Sequence, residues 1–165
     1  MEDEIIEDIN IKKNIAIIMG GFSTEYEISI KSGQVVYETL NEIYNCYRIH
    51  IFKDRWAYVD DGGIEHPIDK NDFTVEVEGT QIFFDCVFNA IHGSPGEDGF
   101  MQAYLDLVEI PHTSCDMYQA ALTFNKRDCL TILKKHGIKA ANSYFINKGD
   151  EINTQEIINT VGLPC

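Results

Sequence analysis

Two glycine-rich turns, each entered from a short apolar run and left through carboxylates into a helical pattern, constrain this chain more than any other feature. The first is Gly20-Gly21-Phe22-Ser23-Thr24-Glu25-Tyr26-Glu27 after the apolar run 15–19; the second is His92-Gly93-Ser94-Pro95-Gly96-Glu97-Asp98-Gly99 after 87–91. Strand, glycine turn and helix, met twice, is how open α/β sheets line up ligand loops along one edge. The pattern predicts an α/β fold, with an open, mainly parallel sheet and flanking helices. The sign of the charge then narrows the ligand. Glycine turns at helix N-termini ordinarily take anions, because unpaired N–H groups and the helix dipole point there. Here Glu25, Glu27, Glu97 and Asp98 stand where a phosphate would want cations, so a ligand presenting an ammonium group fits better.

A chain of 165 residues holds one compact domain, or one domain and part of a second. At this size it needs neither disulfide nor metal to bury a core. Its five cysteines, Cys46, Cys86, Cys115, Cys129 and Cys165, are odd in number and show no CxxC spacing, which fits a reducing cytoplasm. A net charge of -14 disfavours nucleic acid and anionic membrane surfaces as partners. Part of that charge sits in Glu2, Asp3, Glu4, Glu7 and Asp8, within a polar stretch 1–13 read as an acidic leader outside the fold. No apolar run reaches membrane-spanning length.

Along the chain, Thr24 and Glu27 have capping-box spacing ahead of a helix whose apolar positions are Ile28, Val35, Val36 and Leu40. Gly33 costs that helix about 1 kcal/mol against alanine, which a close backbone approach would justify. A second strand is expected at 46–52, then a small hairpin over 56–64, an edge strand at 73–77 and one long strand at 81–91. The segment 100–108 reads as a helix with Met101, Leu105 and Val108 inward, and 110–113 as a short strand. A domain boundary is placed after Cys115. Beyond it the pattern predicts a helix over 120–136 stopped by Gly137, a strand at 143–146, a helix at 154–160 and the start of another strand at 163–165.

Two readings stand for Glu25: an acidic residue complementing a helix N-terminus, or a carboxylate that binds an amino group, the latter favoured by the preceding pair of glycines. His92 stands at the C-terminal end of a strand, either as a hydrogen-bonded structural residue or at the ligand edge of the sheet. Lys126 has no feature of its own to separate it from a solvated lysine. The five histidines form no metal pattern, and neither GxGxxG nor a Walker loop is present. Ser23 and Ser94 lack the context of a hydrolase nucleophile.

Taken together, Gly20 to Ser29 with Lys31-Ser32-Gly33, then His92 to Gly99 with Gln102 and Leu105, closely resemble the first two signatures of D-alanine–D-alanine ligases. Ile110-Pro111-His112-Thr113-Ser114, followed by Ala120-Ala121-Leu122 and Asn125-Lys126, is similar to the opening of that family's ATP-grasp part. The likeness covers 14–165. It implies a Rossmann-like, pre-ATP-grasp substrate domain at 14–115 and a partial ATP-grasp domain at 116–165. It implies an ATP-dependent ligase that joins two D-alanines through an acyl phosphate for peptidoglycan synthesis, with ATP and magnesium required. By motif, Glu25 would bind the ammonium of the first D-alanine, His92 would lie near that substrate and the acyl phosphate, and Lys126 would contact ATP. Ser114, Glu97 and Asp98 would only shape loops, and no residue here is assigned to the metal. The family's serine-glycine loop, second ATP lysine, catalytic arginine and magnesium acids would fall beyond Cys165. The expectation is therefore an N-terminal portion, inactive alone, because positioning and cationic clamping supply most of the rate in phosphoryl transfer. A homodimer is carried over as a family expectation. The alternatives are a ligase joining D-alanine to D-lactate or D-serine, and a non-catalytic flavodoxin-like module binding an anion or a protein.

Overall fold

The computed structural model describes residues 12–163, so the acidic leader falls almost wholly outside the described residues. The chain divides into two compact units, the first ending at Ala121 and the second beginning at Leu122. The first unit opens with β1 (Asn14–Gly20), α1 (Tyr26–Leu40), β2 (Asn45–Ile51), β3 (Trp56–Val59), β4 (Glu65–Asp69), β5 (Thr74–Val77), β6 (Thr80–Ile82), β7 (Cys86–Asn89) and α2 (Phe100–Leu107). Then α3 (Met117–Phe124) crosses from the first unit into the second, which continues with α4 (Lys126–Lys135) and α5 (Thr154–Val161). The start of α3 stays with the first unit: Ala120 is buried, and the Ala121 side chain lies against Gly99.

The seven strands form one sheet in the order β6-β5-β4-β3-β2-β1-β7. The α/β sheet with flanking helices is as expected, but it is mixed rather than mainly parallel. Strand β1 pairs in parallel with β2 and with β7, and every pairing from β2 out to β6 is antiparallel. The reason lies in the connections. Short aspartate- and glycine-rich links can only reverse the chain, whereas a parallel neighbour needs a crossover such as α1.

Strand β1 is buried on both faces, which accounts for its unbroken apolar sequence. Ala16 and Ile18 face a core completed by Ile49, Phe73, Val87, Met101 and Leu105; Ile15, Ile17 and Met19 face α1. The inward side of α1 includes Val36 and Leu40 as expected, but with Ile30 in place of Ile28 and Val35, which are exposed at 51% and 63%. Gly33 is where the helix touches the strand. A β-carbon there would lie 2.9 Å from that of Met19, so no larger residue allows this spacing.

The long strand expected over 81–91 is two strands at opposite ends of the sheet order. Only residues 83–85 join β6 to β7, a reach of about 14 Å at most. A flat sheet of this width would hold its outermost strands roughly 29 Å apart at about 4.8 Å per neighbour. The sheet therefore curls back on itself, and Phe84 fills the fold of the curl against Phe73 and Tyr47 at centroid distances of 5.7 and 5.4 Å. The short strand read at 110–113 is a single parallel bridge from His112 to Val87.

In the second unit the helix predicted over 120–136 is broken at Asn125, whose side chain accepts a hydrogen bond from the Asp128 N–H and starts α4. Residues 143–146 are not a strand; among the described residues of this unit none offers an edge to pair with. Arg127 instead lies over the Phe145 ring and donates to Asn147 Oδ1 at 2.9 Å.

Candidate active site

Parallel pairing of β1 with β7 brings the two glycine turns side by side at the C-terminal ends of those strands. The Phe22 N–H donates to the Ser94 carbonyl at 2.8 Å, joining the turns directly. Hydroxyl groups complete the seam. The fully buried Ser29 Oγ accepts from the Gly20 N–H and donates to the Ala90 carbonyl, both at 2.8 Å. Ser23 Oγ accepts from the Glu25 N–H at 3.1 Å and donates to the His92 carbonyl at 2.8 Å. From the next turn of α1, Ser32 Oγ lies 3.1 Å from His92 Nε2.

Glu25 is the residue before α1, and its side chain makes no capping bond to that helix. The capping box expected of Thr24 and Glu27 does not form: the cap position falls one residue later, on Glu25, whose carbonyl accepts from the Ile28 and Ser29 N–H groups. The Glu25 carboxylate is left without a hydrogen-bond partner among the described residues. It leans over the second turn: its Oε2 lies 3.8 Å from where a β-carbon on Gly93 would be. Such a carbon would also sit 2.7 Å from that of Ser23, and Gly93 has φ +76°, so close approach and backbone conformation both require glycine. Glu25 and His92, nominated separately from the sequence, thus stand on facing turns.

The second turn is shaped from within. Glu97 accepts the Gly93 N–H at 2.7 Å, and Asp98 accepts from Phe100 at the start of α2. Their carboxylates serve the loop, unlike that of Glu25. Asn89 and the buried Gln102 both donate to the Gly96 carbonyl, and Asn89 also donates to Ser114 Oγ at 2.9 Å. Sequence reasoning passed over Ser29, Ser32 and Asn89. Ser29 and Ser32 fall within the first signature of the resemblance, which gives them no role of their own.

Both turns also wall an apolar cavity of about 290 Å³ whose lining includes Phe22, Pro95, Trp56, Met101 and Tyr104. Neither Glu25 nor His92 lines it. Burial there pushes the Tyr104 phenol up to about 12, with Asp72 and Asp69 adding to the effect. Tyr26 is likewise raised, first by burial and then by the neighbouring Glu27. Lys126 belongs to the second unit, where it is the exposed first residue of α4. Among the described residues no three His, Cys, Asp or Glu side chains come together as a metal site. The described cysteines carry free thiols, and no helix among those residues is long and apolar enough to cross a membrane.

The paired turns of this α/β unit thus bring an uncommitted carboxylate and an anchored imidazole to one edge of the sheet. Residues 14–115 match the family described as D-ala D-ala ligase N-terminus, and the chain belongs to that family. It is 66% identical over 154 residues to the D-alanine–D-alanine ligase of Flavobacterium johnsoniae, a match covering 93% of this chain and 48% of that protein. Its fold resembles the D-alanine–D-alanine ligase of Coxiella burnetii, with TM-score 0.78 and 27% identity over 90% of this chain and 49% of the other. The VanG D-Ala:D-Ser ligase of Enterococcus faecalis is also similar, with TM-score 0.67, 28% identity, and coverage of 80% and 44%. The chain spans about half the length of the curated relatives it matches. Family membership leaves the flavodoxin-like alternative without support.

Proposed function

We propose that this chain supplies the first-substrate side of an ATP-dependent D-alanine–D-alanine ligase, with Glu25 receiving the substrate ammonium and His92 standing beside its carboxylate. The observation that carries this is the Glu25 carboxylate: no other side chain among the described residues occupies it, its own helix does not use it, and it overhangs the turn that begins with His92. A carboxylate facing a primary ammonium forms a charge-assisted hydrogen bond, about twice as strong as a neutral one. With the amino end fixed, the substrate carboxylate is directed along the seam toward the imidazole. ATP would phosphorylate that carboxylate, and the amine of a second D-alanine would displace phosphate from the acyl phosphate to close the peptide bond. His92 can hold an anionic oxygen during both steps, and the glycine backbone excludes side chains from the space they need.

Lys126 offers ATP one exposed cation at the start of α4, a position suited to a phosphate. The described residues bring together no ligand set for magnesium, so no step is assigned to it. The names of the relatives favour D-alanine as both substrates; a product used as a cell-wall precursor and made in the cytoplasm is carried over from the family likeness. A homodimer of the complete enzyme is carried over from the family likeness.

Calorimetric titration of the chain tests this reading. D-Alanine should release heat on binding and inorganic phosphate should not. Glu25→Gln should weaken D-alanine by roughly ten- to a hundredfold, the value of a hydrogen bond to a charged group, with melting temperature unchanged. Preference for phosphate, or equal losses of affinity and stability, would leave Glu25 as a helix-dipole residue only. Phosphate release from ATP and D-alanine by this chain alone should stay at background.

A further inference from the structure

We propose that Ser32 is the positioning residue for His92: its hydroxyl donates to Nε2, keeps the ring proton on Nδ1, and so presents a neutral N–H donor to an anionic oxygen of the bound ligand. The role of that donor rests on the D-alanine reading above; the proton placement does not. Ser32 Oγ lies 3.1 Å from Nε2, and the direction of this bond follows from where the hydroxyl proton can go. A helical hydroxyl commonly donates to the carbonyl four residues back. Thr39 does so in this same helix, to Val35 at 2.8 Å, and Thr131 and Thr160 do so in α4 and α5. Ser32 makes no such bond to Ile28. Nε2 is the acceptor left to it, and a neutral imidazole that accepts at one nitrogen carries its proton on the other.

His92 is then held at two points, one from the first glycine turn and one from the helix that follows it. Ser23 fixes its carbonyl and Ser32 its ring, and both serines flank Glu25 in the sequence. The same stretch of chain therefore sets the carboxylate and the imidazole together. Nδ1 takes no protein partner among the described residues. Nor is it sealed from solvent, as Nδ1 of His112 is, so it is open to a ligand. Asp98 and Glu97 do not compete for it, because they are bonded to the backbone of their own turn.

Long-range proton–nitrogen NMR of the His92 ring, in the labelled chain at a pH where the imidazole is neutral, reads the tautomer directly. Wild type should carry the proton on Nδ1. Ser32→Ala should move the tautomer ratio toward Nε2–H by on the order of fivefold, the value of one ordinary hydrogen bond, and Ser32→Thr should restore it. A wild-type ring protonated on Nε2, or a ratio unchanged in Ser32→Ala, overturns the proposal. Should Ser32→Ala fail to fold, the wild-type and Ser32→Thr spectra still decide the question. The measurement needs no substrate. If the proton sits on Nδ1 but added D-alanine leaves the His92 resonances unmoved, the positioning stands and the substrate reading falls.

Discussion

The wing of the sheet from β3 to β6 and the edge where β1 and β7 end are held together by different forces. In the wing, Trp56, Phe73, Phe84 and Tyr104 meet edge to face or tilted, with ring centroids 5.0 to 6.2 Å apart, over the buried Ile68 and Val75. At the edge the contacts that set the shape are hydroxyls and amides: Ser23, Ser29, Ser32 and Asn89, each bonded across from one strand–turn unit to another or within the second turn. Apolar burial is strong but has no preferred direction, while hydrogen bonds are individually modest and strict in geometry. Apolar burial in the wing and on both faces of β1 thus supplies stability, while the hydroxyls and amides of the edge set where its turns lie. Exposed residues such as Glu25 can be spared for a ligand because neither region needs them to fold.

Substitutions can break that division. Phe73→Ala should have the largest effect, because the ring is fully buried at the centre of the aromatic group. Unfolding in urea should lose about 3–5 kcal/mol, the usual cost of removing a core phenylalanine. A loss below about 1 kcal/mol would mean that the curl of the sheet collapses to fill the space and that the wing is not the main store of stability. Ser29→Ala should come next. It leaves the Gly20 N–H and the Ala90 carbonyl without their shared partner in a fully buried site, at about 1–3 kcal/mol. Because those groups end β1 and β7, D-alanine affinity should fall along with the melting temperature. Loss of stability with affinity intact would show that the seam holds the strands but does not place the turns.

The elements most legible in the sequence were those fixed by periodicity and local chemistry. Strand β1 and the helix α2, with Met101 and Leu105 inward, lie where the pattern put them, because one strand is buried on both faces and one helix on a single face. The site was legible in part for the same reason: strand–turn–helix units must present their turns at one edge. What the sequence hid was long-range. The run through Ile82, Phe83 and Phe84 is apolar whether the chain continues straight or crosses from one end of the sheet order to the other, and only the closure of the curl decides between them. The inward side of α1 was misjudged because Ile28 and Val35 look no different from Ile30 and Val36 until Gly33 is known to touch Met19. Ser32 was passed over because a serine on a helix carries no local sign that an imidazole sixty residues on will reach it.

The smallest effect should come from the strand the two regions share. His50 lies on β2 between Met19 of β1 and Ala57 of β3, half-buried, with its ring 5.9 Å from that of Phe52. Burial holds its pKa below the ordinary histidine value of 6.5; Arg48 pushes the same way and Glu65 opposes. The folded chain therefore takes up this proton less readily than the unfolded chain. Stability contributed by the neutral ring is complete above 6.5 and declines as pH falls below it toward the folded value, since the unfolded state then binds more protons. Urea unfolding measured between neutral and mildly acidic pH should show this slope in the wild type and a shallower one in His50→Gln. If β2 is a true seam, tyrosine and tryptophan fluorescence from the wing and amide exchange at β1 should report the same acid-induced loss. Were the wing signal to fall alone, the sheet would behave as two cooperative parts, and the edge that carries Glu25 and His92 would keep its shape without the aromatic core.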